Sequence, residues 1–162
     1  MRLSFRDGFF AGTAVAIIGG SYAVWLWQPD RQVQRHTKNL IHQIENRDWP
    51  TVRNSLATDY RDDWDNDRER LIERLREVLH YARNIRITWV DPHTRIEGRN
   101  AFWIAKVKVH GNRGEAIAII EDRINSLSTP FEFEWRRGSV KPWDWKLTRV
   151  SNNELRIGRE EY

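Results

Sequence analysis

The chain has 162 residues, 40% hydrophobic and 31% charged, a balance that excludes a disordered chain and one wholly embedded in a membrane. Its 27 basic residues leave a net charge of only +4 against 23 acidic ones, and acids sit between almost all the arginines. That excludes the clustered basic stripe of a nucleic-acid face, and the absence of cysteine excludes disulfides, thiol catalysis and thiolate-bound zinc.

From Phe9 to Gln28 runs FFAGTAVAIIGGSYAVWLWQ, twenty residues without a charge. At about 1.5 Å per residue, such a helix spans a hydrocarbon core of about 30 Å. Trp25 and Trp27 fall where indoles prefer the headgroup boundary, and Pro29 and Asp30 are expected to close the helix. Residues 1–29 are therefore read as a short tail and a single transmembrane helix in contact with lipid through residues 9–28, and residues 30–162 as one soluble domain. The rival reading is a cleaved signal peptide, with Ser21-Tyr22-Ala23 as the small-x-small site. It would leave a mature N-terminus beginning Val24-Trp25-Leu26-Trp27, which favours the uncleaved anchor. Gly8, Gly12, Ala16 and Gly20 recur every four residues and form a face on which two helices can approach closely. Arg2 and Arg6 nearly balance Arg31, Arg35 and Lys38 across the span. The signal-like start is what tips the expectation toward an extracytoplasmic soluble domain.

After residue 30 the pattern turns helical. Val33, Leu40, Ile41 and Ile44 keep one apolar stripe, with Thr37 filling the remaining turn, and Asn46-Arg47-Asp48 breaks it. Pro50 suits the first turn of a short second helix that carries Val52 and Leu56 inward. Leu71, Ile72, Leu75, Val78, Leu79 and Ala82 predict a third helix, with Asn66 and Glu69 as a capping box at its start.

The second half alternates as strands do. Ile85, Ile87 and Trp89 lead, followed by Trp103, Ala105, Val107 and Val109. Gly111-Asn112-Arg113-Gly114 reads as a hairpin turn into a strand over Ala116–Ile120. Phe131, Phe133 and Trp135, then Trp143, Trp145 and Leu147, complete the set. Helices before a run of mostly antiparallel strands predict an α+β domain, with about three helices packed on one face of the sheet.

This order resembles the nuclear transport factor 2-like superfamily, the cone fold of ketosteroid isomerase and SnoaL-like proteins. The likeness is carried by Ile44-Glu45-Asn46-Arg47-Asp48-Trp49 with Val52, Leu56-Ala57 and Asp59-Tyr60. At the other end, Phe131-Glu132-Phe133-Glu134-Trp135-Arg136-Arg137 leads into Trp143-Asp144-Trp145-Lys146-Leu147. It covers about residues 33–152 and implies a curved sheet wrapped on a helix, with a pocket at the open end. The superfamily includes isomerases, cyclases and hydratases as well as non-catalytic binders and membrane-anchored assembly subunits. Two readings follow: a membrane-anchored binding or assembly module, or a tethered isomerase- or hydratase-like enzyme. Paired cone domains also imply a homodimer through the sheet.

For the enzyme reading, the resemblance places a general-base carboxylate close to Asp62 or Asp63, with Tyr60 beside them, although the family's base position falls at or beside Trp64. The bland alternative is that these acids form a solvated turn and helix start. Asp63, Asp65 and Asp67 have calcium-loop spacing, but Arg68 stands where that loop needs glycine and Arg74 where it needs glutamate, so no metal is expected. No cofactor motif is present either. For the binding reading, Tyr60, Trp64, His80, Trp89, Trp103, Trp135 and Trp145 are the candidate lining of a pocket for a small apolar ligand. The competing role for the tryptophans is plain core, and for His80 an ordinary helix surface.

Overall fold

The computed structural model describes residues 28–80, 82, 84–112 and 115–156. In chain order these residues form helices α1 (Pro29–Glu45), α2 (Trp49–Ser55) and α3 (Arg68–His80), then strands β1 (Arg86–Glu97) and β2 (Asn100–His110). Helix α4 (Glu115–Asn125) precedes β3 (Phe131–Arg137) and β4 (Trp145–Ser151). The strands pair antiparallel in the order β1-β2-β3-β4. The architecture is α+β, with a helical layer against a curved sheet. Register shifts at Val90/His93 and Glu134/Trp135 mark where the pairing bends.

Helix α1 opens at Pro29, which the sequence reading had placed at the end of a membrane helix; a ring without an N–H fits the first turn. Among the described residues no helix is long and apolar enough to cross a membrane, and Phe9–Trp27, which carry the expected anchor, lie outside them. Val33, Thr37, Leu40 and Ile41 form the buried stripe of α1, and the Thr37 hydroxyl donates to the Val33 carbonyl at 3.0 Å. The helix ends in a Schellman arrangement: Arg47 N–H bonds the Ile44 carbonyl and Asp48 N–H bonds that of Gln43. Arg47 holds the left-handed position, φ 59°, where glycine is usual. Its guanidinium donates to the Ala82 carbonyl, a bond glycine would lack.

The core lies where α1, α2 and α3 meet the inner face of the sheet. Val33, Leu40, Val52, Leu56, Tyr60 and Ile72 pack there against Trp103, Trp135, Trp145 and Leu147. The indoles fill this space: Trp103 meets Phe133 edge-on at 5.2 Å and Trp89 at 5.9 Å.

Three local expectations are corrected. The hairpin strand over Ala116–Ile120 is instead part of helix α4. Where β3 leaves β2, the Asn125 side chain takes the strand's place, accepting from Val109 N–H and donating to the Val109 carbonyl, both at 2.9 Å. Trp143 is 54% exposed in a turn, and β4 begins only at Trp145. Asn66 does not cap α3. Asp67 accepts from Arg70 N–H at 2.9 Å in that role, while Asn66 Nδ2 bonds both oxygens of Asp62.

Candidate functional site

Residues 56–63 run beside β4 as a parallel partner. Ala57 N–H bonds the Leu147 carbonyl, Arg61 N–H that of Thr148 and Asp63 N–H that of Val150. The chain then turns back on itself, with Arg61 bridged to Asp67 and Asp62 N–H bonded to the Asn66 carbonyl. The Asp62 carboxylate lies inside this turn. Its Oδ1 accepts from Trp64 N–H at 3.0 Å and Asn66 N–H at 2.8 Å. Asn66 Nδ2 reaches both oxygens, at 3.1 and 2.9 Å, and the Tyr60 hydroxyl lies 3.5 Å from Oδ2. Burial, followed by the neighbouring Asp62 charge, pushes the Tyr60 phenol well above its ordinary value, so it stays protonated.

This turn forms one end of a cavity of about 460 Å³ between α3 and α4. Its walls are Leu71, Leu75 and Val78 from α3, Ile120 and Ile124 from α4, and Leu155 from the segment after β4. Arg74, Glu77 and Arg123 add charge. The segment carrying Leu155 is strapped down. Trp64 Nε1–H donates to the Leu155 carbonyl at 2.7 Å, and the buried Asn152 accepts from Leu155 N–H at 2.8 Å. A groove of similar size, about 490 Å³, follows α1 and β1, where Ile41, Ile87 and Trp89 share the lining with Lys38, His42, Glu45 and Arg86. Apolar walls on two facing helices make the α3–α4 cavity the candidate site.

Of the residues singled out from sequence, Trp64 and Asp62 line this cavity, and Tyr60 stands directly behind Asp62. Trp103, Trp135 and Trp145 lie in the core, and Trp103 also reaches, with Trp89, a groove of about 230 Å³ beside α1. Trp89 is half-buried at the edge of that core, and His80 is exposed in the last turn of α3. Asp63 faces outward and pairs with Arg149. Asp65 pairs with Arg61, and Asp67 caps α3, so the three acids with calcium-loop spacing each serve a different partner. Among the described residues no His, Asp and Glu side chains cluster closely enough to hold a metal.

Sequence reasoning missed how the α3 stripe divides. Ile72 turns into the main core and Leu79 packs against Ile117 of α4, while Leu71, Leu75 and Val78 line the cavity between the two helices. It also missed Ile120 and Ile124. Their signal was the spacing of Ile117, Ile120 and Ile124, which is helical and runs past the expected strand.

No family profile matches the chain, and no curated protein matches it. Solved structures do. Bd1075 of Bdellovibrio bacteriovorus superposes with TM-score 0.57 at 6% identity, over 75% of this chain; the chain spans 38% of that protein. An NTF2-like protein of Pseudomonas putida KT2440 gives 0.55 at 10% identity, over 75% of this chain and 82% of its own. The fold is NTF2-like. A Streptomyces avermitilis protein, described as a proposed dehydratase of the NTF2-like family, has TM-score 0.54 and 14% identity over 74% of this chain and 91% of its own. Identities this low carry the NTF2-like architecture across and leave chemistry to the side chains of this chain.

Proposed function

We propose that this chain is a membrane-anchored, non-catalytic binding module whose α3–α4 cavity takes a small apolar ligand. One observation carries the reading. The cavity's walls are mainly aliphatic, while Asp62, the carboxylate that its inner turn adds to the lining, has both oxygens engaged by its own loop. A general base needs a lone pair aimed at substrate and a pKa matched to its task. Asp62 instead spends its lone pairs on Trp64 and Asn66, which makes it an organiser of the turn. The NTF2-like architecture supports a binding role as readily as a catalytic one.

The tethered isomerase- or hydratase-like enzyme is the second reading. Asp62 at the cavity wall, with the protonated Tyr60 hydroxyl 3.5 Å away, favours it. It requires the Asp62 turn to open on substrate binding, whereas the binding reading uses the turn as it stands.

The test is displacement of a fluorescent apolar probe, phenylnaphthylamine, by dodecanol. Saturable, competitive binding is expected, and Leu75→Trp should weaken it about tenfold or more by filling the cavity. Leu75 is half-buried, so this variant is expected to melt close to wild type. Absence of saturable binding, or unchanged binding by a folded Leu75→Trp protein, sinks the reading.

A further inference from the structure

The amide of Asn66 is 2% exposed and its two ends are treated unequally. Nδ2 bonds both oxygens of Asp62. The reverse orientation would set the amide oxygen against a carboxylate, so the hydrogen-bond network itself decides which end is which. Oδ1 is left as a buried acceptor that bonds no protein donor. Buried polar atoms almost always have a partner, and one without is a group to be explained. Asn66 lines the cavity described above, beside the strap that ends in Leu155.

We propose that Asn66 Oδ1 is the headgroup acceptor of this site, and that the ligand is an apolar molecule carrying a neutral hydroxyl donor, a long-chain or cyclic alcohol. The inference rests on the α3–α4 cavity being the binding site. The aliphatic walls take the body of the ligand, and its hydroxyl donates to Oδ1. This oxygen is covered in the structure, and the hydroxyl reaches it once a neighbouring side chain shifts aside. A carboxylate ligand is disfavoured at this end, since Asp62 carries its charge on the other side of the same amide.

The experiment compares dodecanol with its methyl ether and with laurate in the full-length protein, by displacement of the same probe. The ether keeps the apolar body, is less hydrated, and loses only the donor. Dodecanol is expected to bind about three- to tenfold more tightly than the ether, the range of one neutral hydrogen bond. Asn66→Ala, checked for native melting, should abolish that preference. If it does not fold, the comparison of the two ligands on the wild-type protein still decides. Equal affinity for alcohol and ether overturns the acceptor role and leaves the cavity reading intact. Tighter binding of laurate overturns it in favour of guanidinium capture at Arg74 or Arg123. If no compound displaces the probe, the cavity reading itself has failed.

Discussion

His36 sits half-buried on α1, its ring 5.8 Å from that of Trp135. Burial holds its pKa below the ordinary 6.5, and the nearby Lys146 adds to that; the Trp143 backbone and Asp144 act the other way. The folded chain therefore resists protonation at His36 more than the unfolded chain does. With the unfolded state binding more protons below about pH 6.5, stability is full above that value and falls as the pH drops beneath it. The thermal midpoint is expected to be flat above pH 6.5 and to decline below it. Replacing His36 with Phe should remove that part of the decline while leaving the loss below about pH 4. The later loss belongs to Asp59, Asp67, Glu69 and Glu154, whose pKa values are held down by bonds from Arg136, the Arg70 N–H, Arg53 and Ser128. An unchanged slope between pH 6.5 and 5 in His36→Phe would show that this ring titrates no differently on folding. None of this was legible beforehand. The sequence reading watched His80, which adjoins an apolar stripe, but whether a histidine is buried depends on what the helix meets across the fold.

At the scale of elements, the helix–strand assignments were legible wherever one period ran long enough. Val33 to Ile44 and Leu71 to Leu79 repeat as helices, and Phe131, Phe133 and Trp135 alternate as a strand. Helix α4 was not, for a physical reason. Ala116–Ile120 is a short apolar run after a glycine-flanked turn, which a buried strand and a helix satisfy equally. Tertiary packing decides between them. Ile117 is buried against Leu79 and Ala82, and Gly111 lies so close that a Cβ there would stand 2.6 Å from Ile117 Cγ2. Gly111 is thus needed for close approach of α4 rather than for a hairpin turn. Gly111→Ala is expected to destabilise the protein by about 1–3 kcal/mol through overpacking. Combining it with Ile117→Ala, which removes the clashing methyl, should cost less than the two single effects added together. Equilibrium denaturation of the four proteins measures this, and strict additivity would refute the contact. The same misassignment hid the candidate site, because the cavity exists only if Ile120 and Ile124 share one helical face opposite Leu71, Leu75 and Val78.

At the scale of the whole molecule, the NTF2-like domain begins at once where the uncharged run ends. Gln28 is the last residue of that run, and α1 opens at Pro29 with the Gln32 amide bonded to the Gln28 carbonyl. A chain anchored through residues 9–28 would therefore hold the domain against the bilayer with no linker between them. Arg31, Arg35 and Lys38 follow at spacings of four and three along α1 and would meet the headgroups first. Twenty uncharged residues insert far more firmly than a few cations adhere, so the two contributions separate under salt and alkali. Full-length protein is expected in the membrane fraction and to resist both high salt and carbonate extraction. A truncated chain beginning at Gln28 keeps the three cations and should be released by salt alone. Full-length protein recovered in the soluble fraction with a new N-terminus near Val24 would replace the anchor with a cleaved leader. Release of the intact chain by salt would reduce the attachment to surface charge, and the α3–α4 cavity would then have to draw its ligand from solution rather than from the adjoining lipid.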